Sequence, residues 1–194
     1  VKHVPNAIDL NSFPKKTTKR FENQIIYAGR LSKEKGIDVL LDTARRLPPE
    51  YNLLIAGIGP EEEKVRNVAN SKANVHYLGY QSKQNTISLI RGSDLLIQPS
   101  LMEGISSTLL EAMGCGTCII ASNVGGNMEI IQNEKNGVLI EPNNVEKMLD
   151  KISNLLLENE KRVAMSAEGL KTAIKYDWKQ VGKLYLDIYE SIFH

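Results

Sequence analysis

No apolar run in this sequence approaches the roughly 20 residues that a membrane-crossing helix needs, and the opening Val1-Lys2-His3-Val4-Pro5 lacks the apolar stretch of a signal peptide. The expectation is a cytoplasmic chain. An excess of either charge is also missing: 24 Lys and Arg stand against 23 Asp and Glu, so no net field draws in a nucleic acid or an anionic membrane. Any anion site must be local. Cysteine is scarce, and Cys115 and Cys118 form a C-x-x-C that reads as a redox pair, half a metal site or a chance spacing. Redox pairs of this kind open a helix, whereas these fall between a helix end and a strand, and no second pair completes a zinc site, which favours chance. No G-x-G-x-x-G follows the first strong strand, since Gly57-Ile58-Gly59 lacks the third glycine, and this argues against a Rossmann dehydrogenase.

What is present is an ordinary globular composition, 42% hydrophobic and 24% charged, over 194 residues. That length holds one well-buried α/β core and hardly a second domain of similar size. Short β-rich runs are expected at Gln24 to Ala28, Asn52 to Ala56, Asn74 to Leu78, Leu95 to Gln98, Thr117 to Ala121 and Val138 to Ile140. Turn chemistry follows each, as at Gly29, at Gly57-Ile58-Gly59-Pro60 and at Asn123 to Gly126. Helical patterns fill the intervals at about Gly36 to Leu47, Glu61 to Ser71, Lys83 to Ile90, Ser106 to Met113 and Val145 to Leu157. In the first of these Ile37, Leu40, Leu41 and Ala44 share one stripe. The alternation predicts a Rossmann-like open parallel sheet with helices on both faces, binding its ligand at the carboxyl edge of the strands. Carboxyl-terminal helices follow at Glu160 to Lys175 and Lys179 to Ile192. In the last, Val181, Leu184, Tyr185, Ile188 and Ile192 make an apolar face, either packed on this domain or docked on another.

Between Asp94 and Glu129 only Glu103 and Glu111 are charged. Neither has a Lys or Arg three or four positions away on its own helix, so each needs a partner from elsewhere in the fold or from a ligand. Glu103 precedes the predicted helix and Glu111 lies within it, eight positions on, a rise of about 12 Å if the whole span were helical. Carboxylates so spaced can accept hydrogen bonds from two polyol groups of one extended ligand. Gly104-Ile105-Ser106-Ser107-Thr108 would set free N–H groups and a helix N-terminus between them, which suits a diphosphate. The plainer alternative makes Ser106 an N-cap and both glutamates solvated.

Gly29-Arg30 ends the first strand, with Lys33 and Lys35 close behind, so cations gather at the same edge. Facing a helix N-terminus they would neutralise a diphosphate, a catalytic contribution when that group departs. Alternatively they are surface cations on a polar loop. Val124-Gly125-Gly126-Asn127 is either a loop whose glycines let backbone approach a ligand or simply a turn.

Together these segments resemble the carboxyl-terminal domain of family 4 retaining glycosyltransferases, one half of a GT-B fold. The resemblance is carried by Tyr27-Ala28-Gly29-Arg30-Leu31 with Lys35-Gly36, by Ile55-Ala56-Gly57 with Gly59-Pro60, and by Val75 to Tyr80. Its most specific run extends from Pro99-Ser100 through Glu103-Gly104 to Leu110-Glu111-Ala112-Met113, followed by Gly125-Gly126, Glu129, Asn136-Gly137 and Pro142. Departures are Ile105-Ser106-Ser107 where Phe-Gly-Leu is commoner, Cys118 where Pro is frequent, and Ala7 in place of Gly.

The resemblance implies that residues 1–20 are an interdomain linker, 21–175 the nucleotide-sugar-binding domain and 176–194 a carboxyl-terminal helix. It implies that Arg30 and Lys35 bind the donor diphosphate, that Glu103 contacts the transferred sugar, and that Glu111 holds the ribose; Glu103, Arg30 and Lys35 are the catalytic candidates. Main chain near Tyr80 and Gln81 would receive the base. Gly29, Gly57, Gly104 and the amides of Ile105, Ser106 and Ser107 would complete the donor site. The implied reaction is metal-independent and cofactor-free, moving a sugar from a UDP- or GDP-sugar to a glycan or lipid-linked acceptor in polysaccharide assembly. The acceptor would be held by an amino-terminal domain that this chain lacks, so the fragment alone is expected to transfer poorly, with any membrane association made through that half. A nucleotide-sugar epimerase half and a noncatalytic nucleotide-sugar-binding module are the alternatives.

Overall fold

The computed structural model of the chain describes residues 4–193, with side chains through 191. Val1 to His3 of the expected linker, the Ile192 side chain of the last apolar face, and His194 lie outside the described residues. Six parallel strands, β1 (Gln24–Ala28), β2 (Asn52–Ala56), β3 (Val75–Gly79), β4 (Leu95–Gln98), β5 (Cys118–Ser122) and β6 (Val138–Ile140), form one sheet in the order β3-β2-β1-β4-β5-β6. Helices α1 (Ile37–Arg46), α2 (Glu62–Ser71), α3 (Lys83–Arg91), α4 (Ser107–Cys115), α5 (Asn127–Ile130), α6 (Val145–Leu157), α7 (Asn159–Lys175) and α8 (Trp178–Phe193) follow in chain order. This is the expected Rossmann-like fold with trailing helices.

The sheet is buried on both faces, which is why its strands read as continuous apolar runs. Along β1, Ile25 and Tyr27 belong to a core with Leu40 of α1, Val65 of α2 and Ile152 of α6. Ile26 and Ala28 belong to the opposite core with Ile90 of α3 and Leu110 of α4. The stripe Ile37, Leu40, Leu41 and Ala44 is buried as the 3.6-residue period requires. Each large side chain so buried stabilises the fold by roughly 1.5–3 kcal/mol.

Most element boundaries move by only one or two residues. Asn74 stands before β3 because its amide donates to the carbonyls of Pro48 and Tyr51 at 2.8 and 2.7 Å. Thr117 stands before β5, its hydroxyl donating to Ile90 O at 2.8 Å. The short helix α5 was not expected, because the glycines before it read as a turn.

Residues 4–20 do not run free. Ile8 makes a parallel bridge with Asp177, its N–H donating to Tyr176 O and its carbonyl accepting from Trp178 N–H, both at 2.9 Å. The Asp177 carboxylate accepts from Leu10 N–H at 3.1 Å, and Phe13 is buried. Among the described residues of the expected apolar face on α8, only Val181 is buried; Leu184 and Tyr185 are exposed, as is Trp178.

The strand order reverses between β1 and β4, so the connections after these two strands diverge and leave a crevice at the carboxyl edge of the sheet.

Candidate functional site

Two adjoining spaces occupy that crevice. The larger, an open cleft of ≈ 660 Å³, runs from Tyr80, Gln81 and Lys83 past Gly57 to Gly59 and Gly29-Arg30 to Thr108 and Glu111. The smaller, ≈ 40 Å³, is lined by Lys35, Gln98, Ser100, Glu103 and Ser106 and shares Ala28, Gly29 and Thr108 with the cleft. Gly29, Arg30, Gly57, Tyr80, Gln81 and Glu111 thus line the cleft, while Lys35, Glu103 and Ser106 line the inner pocket. Gly104, Ile105 and Ser107 sit beside them, in the β4–α4 connection and at the start of α4.

The loops are held together by backbone. Gly36 adopts φ +70°, and a Cβ there would lie 1.8 Å from Pro99 O, so only glycine lets the β1 loop press on the β4 loop. Leu101 N–H donates to Glu34 O at 2.8 Å in the same contact. This abutment carries Lys35 to Glu103, with Nζ to Oε1 at 2.8 Å. On the far side Gly125 (φ +44°) and Gly126 pack on the Glu103-Gly104 backbone, where added Cβ atoms would lie 1.9 Å from Glu103 O and 2.5 Å from Gly104 C. The double glycine therefore lets one loop approach another loop of the protein. A Cβ on Gly104, by contrast, would meet nothing within 4 Å.

Glu103 has a side chain only 7% exposed. Its Oε1 accepts from Lys35, from Gln98 Nε2 at 2.7 Å and from Ser100 Oγ at 2.8 Å. Ser106 caps α4, accepting from Leu109 N–H at 3.4 Å and donating to Gln98 Oε1 at 3.0 Å. Beneath Glu103, the Tyr27 hydroxyl donates to Arg30 O at 2.8 Å, and burial, with the nearby Glu103 charge, pushes its pKa well above the usual phenol range.

Glu111 is held differently. Its side chain is 13% exposed, and its cationic partner is Lys83, 3.5 Å away and 66% exposed. Burial raises the Glu111 pKa above the usual carboxylate range, with Lys83 opposing the shift. Both glutamates thus have partners from distant segments. The sequence reading missed Lys83, Gln98 and Ser100; the first opens a helix 28 positions before Glu111, and the others read as strand end and turn. The remaining cation of the cleft wall, Arg30, is exposed.

Cys115, half-buried, and Cys118, buried, are unpaired, and burial pushes both thiols up to about 12, which disfavours the thiolate. Among the described residues, no group of three or more His, Cys, Asp and Glu is placed to hold a metal ion. No helix among them is long and apolar enough to cross a membrane.

Residues 10–172 match the family described as glycosyl transferases group 1. The chain is 30% identical over 171 residues to the N,N'-diacetylbacillosaminyl-diphospho-undecaprenol alpha-1,3-N-acetylgalactosaminyltransferase of Campylobacter jejuni, covering 87% of this chain and 44% of the relative. It spans about half the length of the curated relatives it matches. Its fold superimposes on an Anabaena protein solved in complex with UDP-glucose, with TM-score 0.87 and 21% identity over 98% of this chain and 57% of the other. It also superimposes on the C-terminal domain of a glycosyl transferase group 1 family protein from Francisella tularensis, with TM-score 0.73 and 24% identity over 88% of this chain and 98% of that one. Fold, ordered motifs and family match converge: the chain belongs to the group 1 glycosyltransferase family, as a carboxyl-terminal domain of the GT-B type.

Proposed function

We propose that this chain is the donor-holding half of a retaining glycosyltransferase that takes a sugar from a UDP- or GDP-sugar. The observation that carries the reading is the pair of adjoining spaces from Tyr80-Gln81 to Glu103, each lined by one largely buried carboxylate and at least one cation. The base would lie at Tyr80 and Gln81, the ribose hydroxyls against Glu111, the diphosphate near Arg30, Lys35 and the first amides of α4, and the sugar against Glu103. A diphosphate at the start of α4 meets N–H groups that have no intrahelical partner. The open space beside Gly104 leaves room for the sugar. The Anabaena neighbour, solved with UDP-glucose, supports a nucleotide sugar as donor for the same fold.

In the proposed reaction Arg30 and Lys35 stabilise the charge on the departing nucleoside diphosphate, and Glu103 orients the sugar while its anomeric bond breaks. Neither a metal nor another cofactor is required in this scheme. The acceptor, a glycan or a lipid-linked sugar as the name of the Campylobacter relative suggests, would be held by an amino-terminal domain linked through residues 1–20. The exposed Trp178, Leu184, Tyr185, Leu186 and Tyr189 of α8 give that domain an apolar surface to meet. The full enzyme would then act in surface polysaccharide assembly at the inner face of the membrane.

Calorimetric titration of UDP, GDP and their sugars into the chain, repeated on Glu111→Ala and Arg30→Ala, tests the site. Wild type should bind one nucleotide series and both variants should weaken it about tenfold or more. Absence of nucleotide binding, or unchanged affinity in both variants, would defeat the assignment.

A further inference from the structure

Gln98 is a polar residue where packing alone would favour an apolar one. It ends β4 after Leu95-Leu96-Ile97, pairs with Ala121 in the sheet and is only 5% exposed. A buried amide is costly unless both its ends are satisfied. Here both are, and in a definite direction. Glu103 as a carboxylate only accepts, so the amide nitrogen of Gln98 faces it, at 2.7 Å. The amide oxygen then faces Ser106, whose hydroxyl donates to it at 3.0 Å. Having given its proton, Ser106 Oγ accepts from Leu109 N–H at the start of α4. Every donor in the series Leu109, Ser106, Gln98 points toward Glu103, and hydrogen bonds aligned in this way polarise one another. Among the described residues, the bonds to the Glu103 side chain all fall on Oε1, where Lys35 and Ser100 also end.

We propose that Gln98 is a positioning residue for donor-sugar recognition, passing the polarity of the α4 N-terminus through Ser106 to Oε1 of Glu103 so that Oε2 is presented to sugar hydroxyls. This rests on the crevice being a nucleotide-sugar site. Both ends of the Gln98 amide are engaged within the protein, by Glu103 and Ser106, so it acts by setting which carboxylate oxygen is engaged by the protein and which is offered to the ligand. The consequence is specific: its loss affects the sugar and leaves the nucleotide alone.

The test uses the sugar increment, the ratio of the dissociation constant of a nucleoside diphosphate to that of its sugar. It is measured by calorimetry with UDP, UDP-glucose, UDP-N-acetylglucosamine, GDP and GDP-mannose. Wild type should show an increment above one for at least one sugar. Gln98→Met keeps the volume and removes the polarity, and should lower that increment about tenfold with the diphosphate affinity unchanged. Ser106→Ala should lower it less, and should add nothing in the Gln98→Met background, since both act through one chain of bonds. Gln98→Glu sets a second carboxyl against Glu103, and the increment should then recover as pH falls from about 8 to about 5, because a protonated carboxyl regains a donor. A role in packing alone would not produce that pH dependence. The proposal is overturned if Gln98→Met leaves the increment as in wild type, if Gln98→Glu is independent of pH, or if the variants lose diphosphate and sugar affinity together. Wild type binding a diphosphate with no sugar increment would overturn it while leaving the nucleotide cleft standing. Wild type binding no nucleotide would overturn the cleft reading as well.

Discussion

The inner pocket and the outer cleft are each lined by one glutamate whose side chain is largely buried, and they treat it in opposite ways. Glu103 meets three donors on one oxygen, from a lysine, an amide and a hydroxyl. Glu111 faces a single exposed lysine at 3.5 Å, and partial burial raises its pKa against the opposing effect of that lysine. The first is organised before any ligand arrives, which suits the sugar-orienting role proposed for it. In the role proposed for the second, ribose hydroxyls donating to Glu111 would relieve part of its desolvation on binding.

The comparison can be broken most severely at its support. Gly125→Val forces a Cβ against Glu103 O in a backbone conformation with φ +44°, and should cost about 3 kcal/mol or more in urea denaturation while abolishing any sugar increment. Glu103→Ala strands the Gln98 and Ser100 donors, and should cost about 1–3 kcal/mol of stability, with diphosphate binding retained and sugar discrimination lost. Glu111→Gln should act in the other direction on stability. A carboxyl whose folded pKa lies above its unfolded value binds its proton more tightly when folded, so ionising it at neutral pH destabilises the fold. The variant should therefore melt higher than wild type near neutrality, and the difference should shrink as pH falls through the raised pKa, even as nucleotide binding weakens. The smallest stability effect belongs to Gly104→Ala. Its Cβ enters open space, so stability should stay within about 0.5 kcal/mol while nucleotide-sugar affinity falls. Parallel loss of stability and binding in that variant would show that the space serves the fold.

The contrast also shows what could be read from the sequence. The apolar runs of β1, β2, β4 and β5 announce a sheet buried on both faces, and the stripe on α1 announces its packing side, because both follow from local periodicity. That Glu103 and Glu111 stand alone among uncharged neighbours was equally plain, and it correctly implied partners from afar. Which partners was not legible. Lys83 reaches Glu111 only because α3 and α4 lie side by side, and Lys35 reaches Glu103 only because Gly36 lets one loop press on another. Gln98 gave no signal beyond being a polar residue at the end of an apolar run. Gly125 and Gly126 were visible as permissive backbone, but their partner is the Glu103 loop, a relationship set by tertiary packing.

Two cysteines are all the chain contains; Cys118 is buried, Cys115 is half-buried, and burial raises the pKa of both thiols. For the experimenter this is a quiet background. A single Tyr80→Cys substitution, at a residue 73% exposed on the rim of the cleft, would become the most accessible thiol. A fluorophore attached there would report a nucleotide entering the cleft by a change in its light, without any other residue having to be removed first.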